Sequence, residues 1–187
     1  MAETRVEMTL MRHIETADLA LEPQLAMHAE AMFVVLSDPA IYEHENAPPA
    51  SFEWLRARYE KLETRRSADG QQQWLNWVVR AVRGSGCGEL IGYVQATILA
   101  DGSTLIAYEF ASTHWGRGLA SQAVTAMIYE LASHYQTREW WALLKRENHR
   151  SIRLLERLGF ALASGEQHFM LGAELDEALM HRLAAQS

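Results

Sequence analysis

The sequence is poor in the features that would take it out of the cell, fix a structural metal or bind a nucleic acid. Its 187 residues include one cysteine, Cys87, so neither an internal disulfide nor a cysteine-pair metal site can form. Cys87 lies in the glycine-rich stretch GSGCGE and reads as an incidental turn residue. No window holds the roughly 18 apolar residues that a membrane-spanning helix needs. MAETRVEMTLMR lacks the uninterrupted apolar core of a secretory signal, so the expectation is a cytoplasmic protein with no membrane partner. An excess of basic residues is also missing: 17 lysines and arginines stand against 24 acidic residues, for a net charge of −7. Such a chain repels a phosphate polymer, which argues against nucleic acid as a partner. The histidines, His114, His149 and His168 among them, show no HExxH-like spacing, so no metal site is expected.

What is present is an ordinary globular composition, 49% hydrophobic, in a chain of a length that fills one core, so a single domain over 1–187 is expected. RVEMTLMR (5–12) alternates like a strand with one wet face. From Glu22 to Leu36 the spacing predicts a helix with Met27, Ala31, Val34 and Val35 as its apolar stripe, ended by SDPAI. EHENAPPAS (43–51) is irregular because Pro48 and Pro49 lack amide donors. Ser51 then opens a second helix that runs to about Arg65. WLNWVVRAV, LIGYVQATI and TLIAYEFA are rich in aromatic and β-branched residues and are separated by glycine turns, which predicts an antiparallel meander. A helix from about Leu119, a strand REWWALLK, a helix ENHRSIRLLERLGF, two apolar segments around FALAS and QHFML, and a short terminal helix in GAELDEALMHRLAAQ complete the order. Trp74, Trp77, Trp140 and Trp141 read as core, while Trp54 beside the proline loop could line a substrate. The class is a mixed α/β (α+β) domain.

The stretch His114–Ala123, HWGRGLASQA, joins the third meander strand to a helix. Gly116 and Gly118 permit left-handed backbone and close approach, so successive amides at the helix start can form an anion-binding nest, with Arg117 adding charge. The stretch matches neither a P-loop nor a GxGxxG dinucleotide loop. It resembles the acetyl-coenzyme A motif of the GCN5-related N-acetyltransferase (GNAT) superfamily, Gln/Arg-x-x-Gly-x-Gly/Ala, with Trp115, Gly118 and Ala120 at the three positions. The tryptophan departs from the general pattern and is similar to the W-G-[RK]-G-x-A form of the RimJ/RimL-like branch. Farther on, Asn148, Ser151, Gly159 and Phe160 resemble a second family element, N-x-x-S followed by G-F.

The resemblance implies a GNAT fold, with a mixed, mostly antiparallel sheet of about six or seven strands and about four helices. It implies that TLIAYEFA and REWWALLK part, that the backbone of Tyr108 or Phe110 faces the acetyl carbonyl of acetyl-CoA, and that Trp115, Gly116, Arg117, Gly118, Leu119, Ala120 and Ser121 bind the coenzyme, the amides of 117–121 holding its diphosphate. Asn148 either binds the pantetheine arm or only caps its helix. Ser151 is either the proton donor to the thiolate or a surface hydroxyl. Glu109 interrupts an apolar strand and is the first candidate for general base. Relatives often carry their glutamate earlier on this strand, where Thr104 and Leu105 stand here, so an ion pair for Glu109, a water-relayed base, His44 or Glu45 are the alternatives. The implied function is acetyl transfer from acetyl-CoA to a primary amine, on a peptide or a small molecule. The rival is an acyl-CoA-binding module without catalysis. A second copy of the chain is left open as a partner, and the acidic balance mildly favours a cationic acceptor.

Overall fold

A computed structural model describes residues 10–44, 47–84, 86–170 and 172–184. Among these, eight strands form one sheet in the order β1-β2-β3-β4-β5-β6-β8-β7. They are β1 (Ile14–Glu15), β2 (Leu19–Pro23), β3 (Gln73–Ala81), β4 (Leu90–Ile98), β5 (Thr104–Phe110), β6 (Glu139–Lys145), β7 (Ala161–Leu162) and β8 (Glu177–Leu183). The five helices are α1 (Ala29–Leu36), α2 (Phe52–Leu62), α3 (Leu119–His134), α4 (His149–Arg157) and α5 (Gly165–Met170). Every neighbouring pair of strands is antiparallel except β5 and β6. The mixed α/β class and the mainly antiparallel sheet agree with the sequence reading, with slightly more strands and helices than it anticipates.

Alternation along the strands sorts side chains onto two faces. Leu75, Trp77, Val79 and Ala81 of β3 enter a core shared with Ala123, Val124, Met127 and Leu131 of α3 and with Leu154 and Leu155 of α4. Val78 points the other way, into a smaller core with Met32 and Leu36 of α1 and Leu55 and Tyr59 of α2. Caps fix the helix starts. The Ser51 hydroxyl accepts from the Trp54 amide at 3.1 Å, and Asn148 Oδ1 accepts from the Ser151 amide at 3.1 Å, each satisfying a donor that the helix cannot.

Several sequence expectations are corrected. The helix expected from Glu22 starts only at Ala29, and Glu22 and Pro23 end β2 instead, a strand whose Leu19 and Leu21, both 0% exposed, are buried against β3. The core stripe of α1 is Ala29, Met32 and Leu36, whereas Met27 and Val34 stand 78% and 74% exposed. The expected strand at 5–12 falls mostly outside the described residues, and Leu10–Arg12 are not strand. The segment containing QHFML is α5, and FALAS supplies only the short β7. The expected terminal helix is β8, paired with β6 from Glu139↔Leu183 to Lys145↔Glu177. Three consecutive residues, Ala178, Leu179 and Met180, are buried there, and the open edge of β6 outweighs local helix propensity.

Candidate active site

The parallel strands β5 and β6 touch at only two register positions, Thr104↔Trp140 and Leu105↔Trp141. Beyond these, β5 stays with β4 as far as Gly92↔Phe110, and β6 stays with β8 as far as Lys145↔Glu177. The halves Ile106–Phe110 and Ala142–Lys145 therefore separate inside the sheet. The Ala111 amide donates to Ile91 O at 2.9 Å. Since successive strand amides point to opposite sides, those of Tyr108 and Phe110 face the gap. An open edge of this kind is a template for an extended, amide-bearing ligand.

Gly92 sets where β5 runs. A Cβ there would lie 2.2 Å from Glu109 O and 2.9 Å from Phe110 Cα, so only glycine lets the two strands come this close. After β5 the chain makes a short turn, Ser112–His114, and enters α3 through Gly116 at φ 73° and Gly118 at φ 76°. Gly118 is the residue that caps α3, in left-handed conformation, and the first α3 amides are left without helical partners beside it. Three contacts hold this loop. Trp115 donates its indole N–H to Phe110 O at 2.8 Å, the Arg150 guanidinium lies 3.3 Å from the centre of the Trp115 ring, and Asp38 Oδ2 accepts from the Ser112 amide at 2.9 Å. The Ser112 side chain first, and then the bond from the Ser112 amide, hold the Asp38 carboxyl below its ordinary range.

A cavity of about 340 Å³ lies along this loop, and all the site residues read from the sequence line it except Arg117. The Arg117 side chain reaches instead toward Gly84 of the β3–β4 turn, its Nη2 lying 3.4 Å from where a Cβ of residue 84 would be. A second cavity, of about 350 Å³, lies under α2 and is lined by Tyr42, Trp54, Tyr59, Tyr93, Gln24 and Gln95, among others. Tyr108, Glu109, Asn148 and Ser151 line both cavities, so the two spaces meet at the gap between β5 and β6. His44 lines neither cavity; Glu45 lies outside the described residues.

The sequence reading missed Asp38, Arg150 and the tyrosines under α2. Tyr93 and Gln95 were signalled only as the polar positions in the alternation of LIGYVQATI. Burial pushes the Tyr42 hydroxyl up to about 12, with the Glu109 charge adding to the effect. Tyr108 is also pushed up to about 12 by burial, against an opposing bond toward Ser151. Tyr93 is raised by burial first and then by Glu109. These hydroxyls stay protonated at neutral pH.

A splayed parallel strand pair, a glycine-capped helix start at its mouth and two cavities meeting in the split define an acyl-CoA-dependent transferase. The family comparison agrees: the acetyltransferase (GNAT) domain matches residues 18–161, and the chain belongs to that family of acetyl-CoA-dependent acetyltransferases. Solved structures share the fold at low identity. An acetyltransferase of the GNAT family from Bacillus anthracis is 19% identical with a TM-score of 0.70, covering 92% of this chain and 98% of its own. RimL, the ribosomal L7/L12 α-N-protein acetyltransferase, in complex with coenzyme A, is 17% identical with a TM-score of 0.74, covering 92% and 98%. The microcin C7 self-immunity acetyltransferase MccE, in complex with acetyl-CoA and AMP, is 15% identical with a TM-score of 0.72, covering 90% and 93%. No curated protein matches the sequence.

Proposed function

We propose that this chain is an N-acetyltransferase of the RimJ/RimL-like branch that acetylates a primary amine. The observation that carries the reading is the meeting of the two cavities at Tyr108, Glu109, Asn148 and Ser151. One cavity serves the acyl donor and the other the amine. The donor side suits acetyl-CoA because the amides of Tyr108 and Phe110 face an open gap and no atom lies within 4 Å of a Cβ built at Gly116 or Gly118, leaving room for a diphosphate against the amides of 117–121. Acetyl-CoA supplies an acetyl group activated as a thioester.

Each residue then has a role. The Tyr108 or Phe110 amide donates to the acyl oxygen and, as negative charge develops there, lowers the barrier by on the order of 3 kcal/mol. Trp115 holds the end of β5 in place through its bond to Phe110 O. Asn148 uses Oδ1 to cap α4, which leaves its amide N–H₂ to hold the pantetheine arm, so capping and binding are compatible. Glu109 accepts a proton from the incoming ammonium, and the freed nitrogen lone pair forms the new C–N bond as the C–S bond breaks. The Ser151 hydroxyl, beside the Tyr108 hydroxyl, donates its proton to the departing thiolate and regains one from the amine through solvent.

The direct test is release of free thiol from acetyl-CoA across a panel of peptide and small-molecule amines, with calorimetric measurement of CoA binding. Acetylated amine with stoichiometric thiol is expected. Tight CoA binding with no turnover on any amine would point to the binding module instead.

A further inference from the structure

The cavity under α2 does not stop at Glu109. It runs on into a depression of about 210 Å³ that shares Arg58, Leu62 and Gln95 with it and adds Lys61, Trp74, Asn76 and Thr97. Tyr93, Gln95 and Thr97 alternate along β4 on one face of the sheet, opposite Glu109, Ala107 and Leu105 of β5 and Val78, Asn76 and Trp74 of β3. At strand spacing, Thr97 lies about 13 Å along the groove from Tyr93. The groove is thus long enough for an extended acceptor, and its two ends differ in charge.

Glu109 is at the end where the cavities meet. At the far end α2 contributes two cations, Arg58, with its guanidinium 5.8 Å from the Trp54 ring centre, and Lys61, with its ammonium 5.7 Å from the Trp74 ring centre. Neither is in an ion pair among the described residues. The nearby acids of α2 and its end are otherwise engaged: Glu60 pairs with Arg56 at 3.2 Å, and Glu63 accepts from the Ala26 amide. On the floor, Gln24 and Asn76 are 4% and 5% exposed, and neither side-chain amide nitrogen has a partner. The two residues are side by side, the Gln24 main-chain N–H donating to the Asn76 main-chain carbonyl at 2.9 Å. What remains around this end is two positive charges with no anionic partner among the described residues and two amide donors without acceptors, a set complementary to anionic oxygen.

Resting on the transfer reading above, we infer that the acceptor is an acidic amine, with its nitrogen at Glu109 and a carboxylate held by Arg58 and Lys61. For an extended peptide, at about 3.3–3.6 Å per residue, the acidic side chain falls within the first four or so residues after the reacting amine. A small amine with a distal carboxylate presents the same chemistry. This local charge outweighs the overall −7, which mildly favoured a cationic acceptor, because charges beyond a Debye length of about 8 Å are screened.

The experiment compares tetrapeptides with a free N-terminus that carry Asp, Ala or Lys at the third and fourth positions, together with a free acidic dipeptide. Turnover is measured alongside calorimetric binding to the CoA-saturated protein. The acidic tetrapeptide should bind at least tenfold more tightly than the neutral one, lose that margin as salt is raised, and rank below the lysine peptide in R58E/K61E, whose affinity for CoA is unchanged. Stronger binding by the dipeptide would assign the carboxylate to a small molecule, and by the tetrapeptide to a chain N-terminus; either supports the inference. Equal affinity for acidic and neutral tetrapeptides, or an acidic preference that survives R58E/K61E, would overturn it. Absent turnover with the acidic preference intact strikes the transfer reading alone.

Discussion

Asp38 reaches across the molecule to Ser112: its Oδ2 accepts from the Ser112 amide at 2.9 Å while Oδ1 accepts from the Ala40 amide at 3.0 Å. One carboxylate thereby fixes both the turn after α1 and the turn that leads into the glycine loop. Asp38→Ala should lower stability by about 1.5–3 kcal/mol, the range for hydrogen bonds to a charged group, and weaken CoA binding. The folded carboxyl titrates below its ordinary value, so this stability is present above the unfolded pKa and is lost as pH falls through the folded one. Melting of the two proteins should therefore differ at pH 7 and converge in strong acid.

Gly118→Ala isolates the backbone requirement of the loop. Nothing lies within 4 Å of the added Cβ, yet φ is +76°, a conformation that costs an L-residue about 1–2 kcal/mol. CoA affinity measured by calorimetry should fall by roughly tenfold or more, the equivalent of about 1.4 kcal/mol.

Gly92→Ala tests a different need for glycine, since here space is missing rather than conformational freedom. The new Cβ would meet Glu109 O and Phe110 Cα, so β4 and β5 must move apart. A loss of about 1–3 kcal/mol in denaturant unfolding is expected, together with reduced turnover because Tyr108 and Glu109 move with the strand.

Glu109→Gln keeps the shape and removes the proposed base. It should lower kcat by about 100-fold or more while CoA affinity holds. Removing its charge also lowers the Tyr42 hydroxyl from about 12, since Glu109 is one cause of that shift; ultraviolet titration of the tyrosines reads this directly. A pH–rate profile that overlays the parent's would place the base elsewhere.

The lining of the cavity along the glycine loop was largely legible in the sequence because its signals are contiguous. Two glycines, a tryptophan and a helix start occur within a few residues, and Asn148 and Ser151 are a helical turn apart. The meander was readable for a similar reason, its apolar strands being bounded by glycine turns. The cavity under α2 draws its lining from scattered places, the residue after β2, α2 and β4 among them, and Gln24 or Gln95 means nothing until the fold brings both to one cavity. β8 was read as a helix because ELDEALMHRL is good helix sequence in isolation; its strand conformation depends on the edge of β6. Met27 and Val34 misled for the opposite reason, being apolar residues that the fold leaves exposed.

The position of β8 has a consequence for biosynthesis. Chain order delivers β7 before the strand that must come to lie between it and β6, so β7 cannot dock as it emerges from the ribosome. Until β8 slots in, β6 is tethered laterally by its two register positions with β5. One wall of the cleft is therefore completed last, after the glycine loop has already been made.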